Sequence, residues 1–226
     1  MREIVLDTET TGFEPSEGHR VIEVAAIEIV NLMPTGRVYH TLIDPQRDVP
    51  PEASRVHGFT RVDLEGKPLF ADVADAMLEF LGDSPIIAHN APFDFKHLDA
   101  ELLRSGRAAL DPKRMVDSLM LARAKFPGAQ NSLDALCRRF DIDLSQRTTH
   151  NALLDVKLLA EVYLELRGGR QPGLVLSTAP VAQKILVQEE RRPRTERPIL
   201  VSAEQLARFD AFLAKIKNPL WKQLEP

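Results

Sequence analysis

The stretch "IVLDTETTGF" (residues 4–13) decides how this 226-residue chain is read. Its apolar start has the character of a buried strand, yet it runs into two acids, Asp7 and Glu9, before turning at Gly12. Alternate residues of a strand share a face, so Asp7 and Glu9 project side by side while Thr8 points away. Two carboxylates confined to one small site repel each other, and a divalent cation with oxygen ligands is the simplest relief. A surface strand can carry the same D-x-E pattern without such a role, so the meaning of the pair depends on other acids.

Working outward, β-type runs at residues 3–7, 21–30 and 37–43 suggest an antiparallel meander, with "NLMPTG" (31–36) as the hairpin connection between the second and third. From residue 69 the period changes, and Phe70, Val73, Ala74, Met77, Leu78 and Leu81 recur at helical spacing. There follow a short apolar run "PIIAH" (85–89), a helix over 92–104, a strand candidate "RMVDS" (114–118) and helices near 119–125 and 133–140. The last helix of this region spans 151–166, with Leu159, Val162 and Leu166 on one stripe. Strands that alternate with helices require parallel pairing, so the class is α/β with a mixed sheet.

Paired glycines and a proline in "RGGRQPG" (167–173) place a domain boundary after residue 167. Residues 168–200 include the charged, proline-bearing "QEERRPRTERP" (188–198) and read as a flexible linker. In "SAEQLARFDAFLAKI" (202–216), Ser202 and Gln205 form a capping box and Leu206, Phe209, Leu213 and Ile216 form one apolar face; "NPLW" (218–221) ends that helix.

With 44% hydrophobic and 27% charged residues, the composition is that of an ordinary globular protein and suggests neither a membrane class nor wholesale disorder. No apolar run approaches the ~20 residues that span a bilayer. The start "MREIVLD" lacks the regions of a secretory signal, so a cytoplasmic location is expected. The single cysteine, Cys137, has no internal disulfide partner and reads as a packing residue. A net charge of −4 and a pI near 5.9 argue against a broad electrostatic grip on duplex nucleic acid, and leave room for a short, locally held anionic ligand.

Two further segments carry acids at helix starts. In "IIAHNAPFD" (86–94), Asn90 suits an N-cap and Pro92 the first turn, which puts Asp94 near the positive end of the helix dipole. An acid there also stabilises a helix with no other duty. In "TTHNALLD" (148–155), one regular helix would set His150 and Asp155 about 140° apart. His150 therefore belongs to a mobile loop before a helix capped by Thr149 or Asn151, with Asp155 just past the first turn.

Taken together, "DTETTG" (7–12), "HNAPFD" (89–94) and "HNALLD" (150–155) resemble the three motifs of the DEDDh exonucleases, whose fold is RNase H-like; "VHGFT" (56–60) adds a fourth matching segment. The resemblance covers residues 1–167. More narrowly, "LLDVKLLAEVYLEL" (153–166) and the glycine pair after it resemble the proofreading exonuclease subunits of bacterial DNA polymerase III. The resemblance implies an antiparallel three-strand meander followed by parallel strands, with helices on both faces. It implies 3′–5′ hydrolysis of mismatched terminal nucleotides, from single-stranded or frayed DNA ends, to deoxynucleoside monophosphates. By the same resemblance Asp7, Glu9, Asp94 and Asp155 hold two divalent ions, Mg²⁺ or Mn²⁺, with Asp7 shared, and His150 is the general base. The resemblance also implies that Glu52 and His57 contact the terminal nucleotide together with Asp7, Glu9 and Asp155, and Thr10, next to the acids, is expected to add its backbone or hydroxyl to the same nucleotide. Phe93 fits the core beside Phe95 as well as it fits a base contact, and is not assigned.

Two partners are also implied. The polymerase III alpha subunit would receive residues 201–226, and the sliding clamp would receive "QPGLVL" (171–176), which departs from the usual motif in its final leucine and in Pro172 and Gly173. An RNA-trimming relative and a catalytically silent scaffold are the competing readings. The tethered terminal helix weighs against the first, and the presence of all five catalytic residue types weighs against the second.

Overall fold

The computed structural model describes residues 1–145, 147, 150–169 and 201–217. The chain divides into two compact units, Met1–Leu174 and Val175–Pro226. The first is built on a five-stranded sheet of β1 (Arg2–Thr10), β2 (Val21–Val30), β3 (Met33–Leu42), β4 (Ile86–Ala88) and β5 (Met115–Asp117), in the spatial order β3-β2-β1-β4-β5. Strands β1, β2 and β3 pair antiparallel, whereas β4 and β5 continue the sheet parallel to β1. The helices of this unit are α1 (Pro51–His57), α2 (Arg61–Leu64), α3 (Phe70–Leu81), α4 (Ala91–Arg104), α5 (Ser118–Lys125), α6 (Leu133–Arg139) and α7 (Ala152–Leu166).

Alternation along β1 explains the layers. Ile4 and Leu6 pack with Phe70, Met77, Phe95 and Leu98 of α3 and α4 on one face. Val5 packs with Val156, Leu159 and Tyr163 of α7 on the other. Ile4, Val5 and Leu6 are fully buried, each worth about 1.5 to 3 kcal/mol of transfer free energy. The central strand is thereby fixed against both helical layers. Cys137 is buried among Ala122, Leu136, Leu158 and Val162, and burial pushes its thiol up to about 11, in keeping with a packing role.

Two local expectations are corrected. The β2–β3 connection is a tight turn at Asn31 and Leu32, both left-handed (φ 51° and 68°), so Pro34 and Gly36 lie inside β3. Proline is tolerated there because β3 is an edge strand, where a missing N–H costs no ladder bond. Strand β1 also continues through Thr10, since pairing with β2 extends to Val21, so the two acids lie within the strand.

In the second unit, α8 (Ala203–Leu213) starts at Ser202, whose hydroxyl accepts the Gln205 N–H while the Gln205 side chain accepts the Ser202 N–H. The helix ends at Leu213, short of the expected Ile216, and "NPLW" lies outside the described residues, as do the linker from 170 to 200 and the "QPGLVL" segment. Among the described residues no helix is long and apolar enough to cross a membrane.

Candidate active site

Because β1, β4 and β5 are parallel, their C-terminal ends share one edge of the sheet, and α4 and α5 begin there. Asp7 and Glu9 face the α7 side of β1, and a bulge between Glu9 and Thr10 re-aims the strand beside them. Burial pushes the Asp7 carboxyl well above its ordinary value, helped by the charges of Asp94, Glu9, Asp155 and Glu23. Burial likewise lifts Glu9 to about 8, against the pull of His150.

Asp94 arrives from the other face. Its helix starts after Asn90, which is left-handed (φ 71°) and makes no side-chain cap, contrary to expectation. The Asn90 N–H instead donates to Asp117 Oδ1 at 3.1 Å, and the same oxygen accepts the Leu119 N–H at 2.9 Å. Asp117 thus fixes the starts of both α4 and α5. Thr8 points away from Asp7 and Glu9 as alternation requires, and its hydroxyl donates to Asp94 Oδ1 at 2.8 Å. Burial raises Asp94 to about 7, with the Thr8 bond acting the other way.

Asp155 is delivered by the first turn of α7. Asn151 caps this helix by accepting the Leu154 N–H at 3.1 Å; Thr149, the alternative cap, lies outside the described residues. Glu23 of β2, fully buried, accepts the Ala152 N–H at 3.1 Å and the Asn151 amide at 3.3 Å, and lies 2.7 Å from His40 Nε2. This carboxylate ties the helix start to the sheet. Burial would raise Asp155, but hydrogen bonds from Arg147 and His150 outweigh it and hold the carboxyl below its ordinary value. Arg147 grips both oxygens, Nε to Oδ1 and Nη2 to Oδ2, each at 2.7 Å. The N–H of His150 donates to the Val56 carbonyl at 3.1 Å, and its Nδ1 lies 2.9 Å from Arg147 Nη2 and 3.5 Å from Asp155 Oδ2. The bond to Asp155 raises the His150 pKa.

Beside the acids opens a cavity of about 530 Å³ whose lining includes Glu9, Thr10, Phe13, Glu52, His57 and Phe93. Glu52 is exposed and pairs with Arg55 at 3.5 Å. His57 is buried; its Nδ1 accepts the Phe59 N–H at 3.1 Å, and its Nε2 has no well-formed hydrogen bond among the described residues. Phe93 and Phe95 separate cleanly, since Phe95 is in the core and Phe93 lines the cavity.

A family model described as an exonuclease matches residues 4–163. A relative from Rickettsia felis named DNA polymerase III subunit epsilon is 46% identical over 222 residues, covering 96% of this chain and 97% of its own. One of the same name from Escherichia coli is 47% identical over 178 residues, covering 75% and 72%. The chain belongs to the exonuclease family, among the DNA polymerase III epsilon subunits. It is a proofreading 3′–5′ DNA exonuclease. Its fold matches that of exonuclease X in complex with 5′-overhanging duplex DNA (TM-score 0.57, 23% identity, 72% of this chain and 89% of that one). It also matches the zinc-bound E. coli exonuclease I complex with single-stranded DNA (TM-score 0.64, 19% identity, 74% and 41%).

This family depends on divalent metal ions, and the residues fit such ions. One ligand atom from each of Glu9, His150 and Asp155 lies within 4.8 Å of the others. Carboxylates raised by burial and mutual repulsion, as Asp7 and Glu9 are, gain most from a cation. Arg147, Glu23 and Asp117 escaped sequence reasoning. Asp117 alone left a usable signal, an acid between a strand run and a helical one. Glu23 sits in an apolar run and Arg147 in an unpatterned loop, and only the folded chain brings them to the site.

Proposed function

We propose that Asp7, Glu9, Asp94 and Asp155 together hold two divalent ions, Mg²⁺ or Mn²⁺, and that His150 is the general base for hydrolysis of the last phosphodiester at a DNA 3′ end. The observation that carries this reading is the meeting, at one strand edge, of acids from three distant segments approaching from both faces of β1. When bound, the ions would offset the carboxylate charge and stabilise the attacking and leaving oxygens of an in-line displacement. His150, half-exposed and tethered through its backbone to Val56, is suited to accept the proton of the attacking water, since its charge changes near neutrality. Thr10, Glu52 and His57 line the adjoining cavity and would seat the terminal nucleotide there. No covalent intermediate with the protein is needed, and a deoxynucleoside monophosphate leaves.

Residues 1–167 form the nuclease domain in this reading, 168–200 the tether and 201–226 the segment that docks on the polymerase III alpha subunit. Exposure of Leu206, Phe209 and Phe212 on α8 supports the docking role. The segment 171–176 would add a contact to the sliding clamp.

The test is Asp7→Ala assayed on paired and mispaired primer ends, DNA and RNA, with and without chelator. Loss of cleavage with an unchanged far-UV spectrum is expected; undiminished cleavage would refute the assignment.

A further inference from the structure

We propose that Arg147 is a positioning residue and the site's own counter-cation, gripping Asp155 and His150 while no dication is bound and yielding Asp155 when one binds. The inference rests on the metal reading above.

The geometry leaves little slack. Arg147 places two N–H groups on the two oxygens of Asp155, and a third arm, Nη1, bonds Asp134 of α6. Its side chain is only 9% exposed and that of Asp155 only 5%. The fork is therefore fixed by packing on one side and by its hydrogen bonds to Asp155, Asp134 and His150 on the other, the arrangement for which a planar guanidinium is suited and an ammonium is not. In the metal reading a dication needs an Asp155 oxygen, and Arg147 holds both. Like charges within a few ångströms in a half-enclosed site repel, so the full fork and the ion compete for Asp155.

His150 is drawn into the same exchange. While Arg147 Nη2 donates to Nδ1, a neutral imidazole carries its hydrogen on Nε2. Once the guanidinium withdraws, the imidazole can give its Nε2 proton to solvent and take one from solvent at Nδ1, which faces Asp155 Oδ2 3.5 Å away, so that Nε2 becomes an acceptor.

The experiment titrates Mn²⁺ alone into the full chain by calorimetry, for wild type, Arg147→Gln and Arg147→Lys, with thermal melts in chelator alongside. Arg147→Gln is expected to melt lower without metal yet to bind Mn²⁺ roughly tenfold tighter, within the usual range of coupling between competing ligands. Arg147→Lys keeps the charge but loses the fork, and should tighten binding by a smaller factor. Should Arg147→Gln fail to fold, Arg147→Lys decides alone, tightening supporting the proposal and no tightening overturning it. A purely architectural tie between α6 and α7 predicts unchanged or weaker binding in both variants, which would overturn it. Tightening in the glutamine variant alone would assign the effect to charge at a distance and overturn the grip. Absence of Mn²⁺ uptake by the wild type would remove the metal reading and this inference with it.

Discussion

Helices α4 and α7 each present an aspartate from the first turn, and the two acids have opposite electrostatic fates. Asp94 meets a neutral hydroxyl, that of Thr8, and is lifted to about 7. Asp155 meets a guanidinium and is held below its ordinary value. Helix geometry supplies the reach in both cases; burial raises both carboxyls, and only the cationic partner of Asp155 outweighs it. The α7 side of the site thus carries an internal cation and the α4 side does not.

The sharpest way to break this comparison is to neutralise each acid. Asp94→Asn and Asp155→Asn should each reduce hydrolysis of single-stranded DNA by a factor of about 10² to 10³ or more, as loss of one electrostatic stabiliser does. In chelator their stabilities should separate. Asp155→Asn strands a nearly buried guanidinium and should cost about 3 kcal/mol in denaturant unfolding, whereas Asp94→Asn relieves crowding and should cost nothing. Equal destabilisation by the two would end the comparison.

A gentler probe is pH. Glu9 moves from an ordinary 4.5 to about 8 on folding and Asp94 from 3.8 to about 7, so the folded state retains protons that the unfolded chain has released. Stability from these groups is full at low pH and lost as pH rises through 7 to 8; that from Asp155 runs the other way and is lost only below its ordinary 3.8. Melting temperature in chelator should therefore fall between pH 5 and pH 9, less steeply in Asp94→Asn, and Mn²⁺ should flatten the slope. A rise over that window would contradict the assigned shifts.

The smallest expected effect concerns how each helix start is held. Asp117→Ala removes the acceptor for the Asn90 and Leu119 N–H groups and should cost about 1 kcal/mol, as loss of an N-cap does. Chemical denaturation would measure it, and activity should fall only through misplacement of Asp94. A change in Asp155-dependent properties such as the His150 titration would show that the two helix starts are coupled.

Sequence pattern sufficed for α3 and α7 because buried residues recur at helical spacing, and for β1 because its apolar run is buried on both faces; the three motifs drew attention to the acids because chemistry restricts residue type. The Asn31–Leu32 turn was hidden because its left-handed residues are not glycines. The left-handed Asn90 was hidden because a cap and a strained hinge share the same letter, and only Asp117, from a strand 27 residues later, tells them apart. Arg147 and Glu23 were illegible for a related reason, since their partners lie 8 and 129 residues away and no local pattern records such pairings.

The approach of Asp94 and Asp155 from opposite sides of β1 bears on biosynthesis. Asp155 lies on the last helix of the first unit in chain order, so a chain that has not been made through residue 155 lacks one of the four acids. On the metal reading such a shortened polypeptide holds no complete cation cage, and cutting of DNA becomes possible only once α7 has been made and packed against β1.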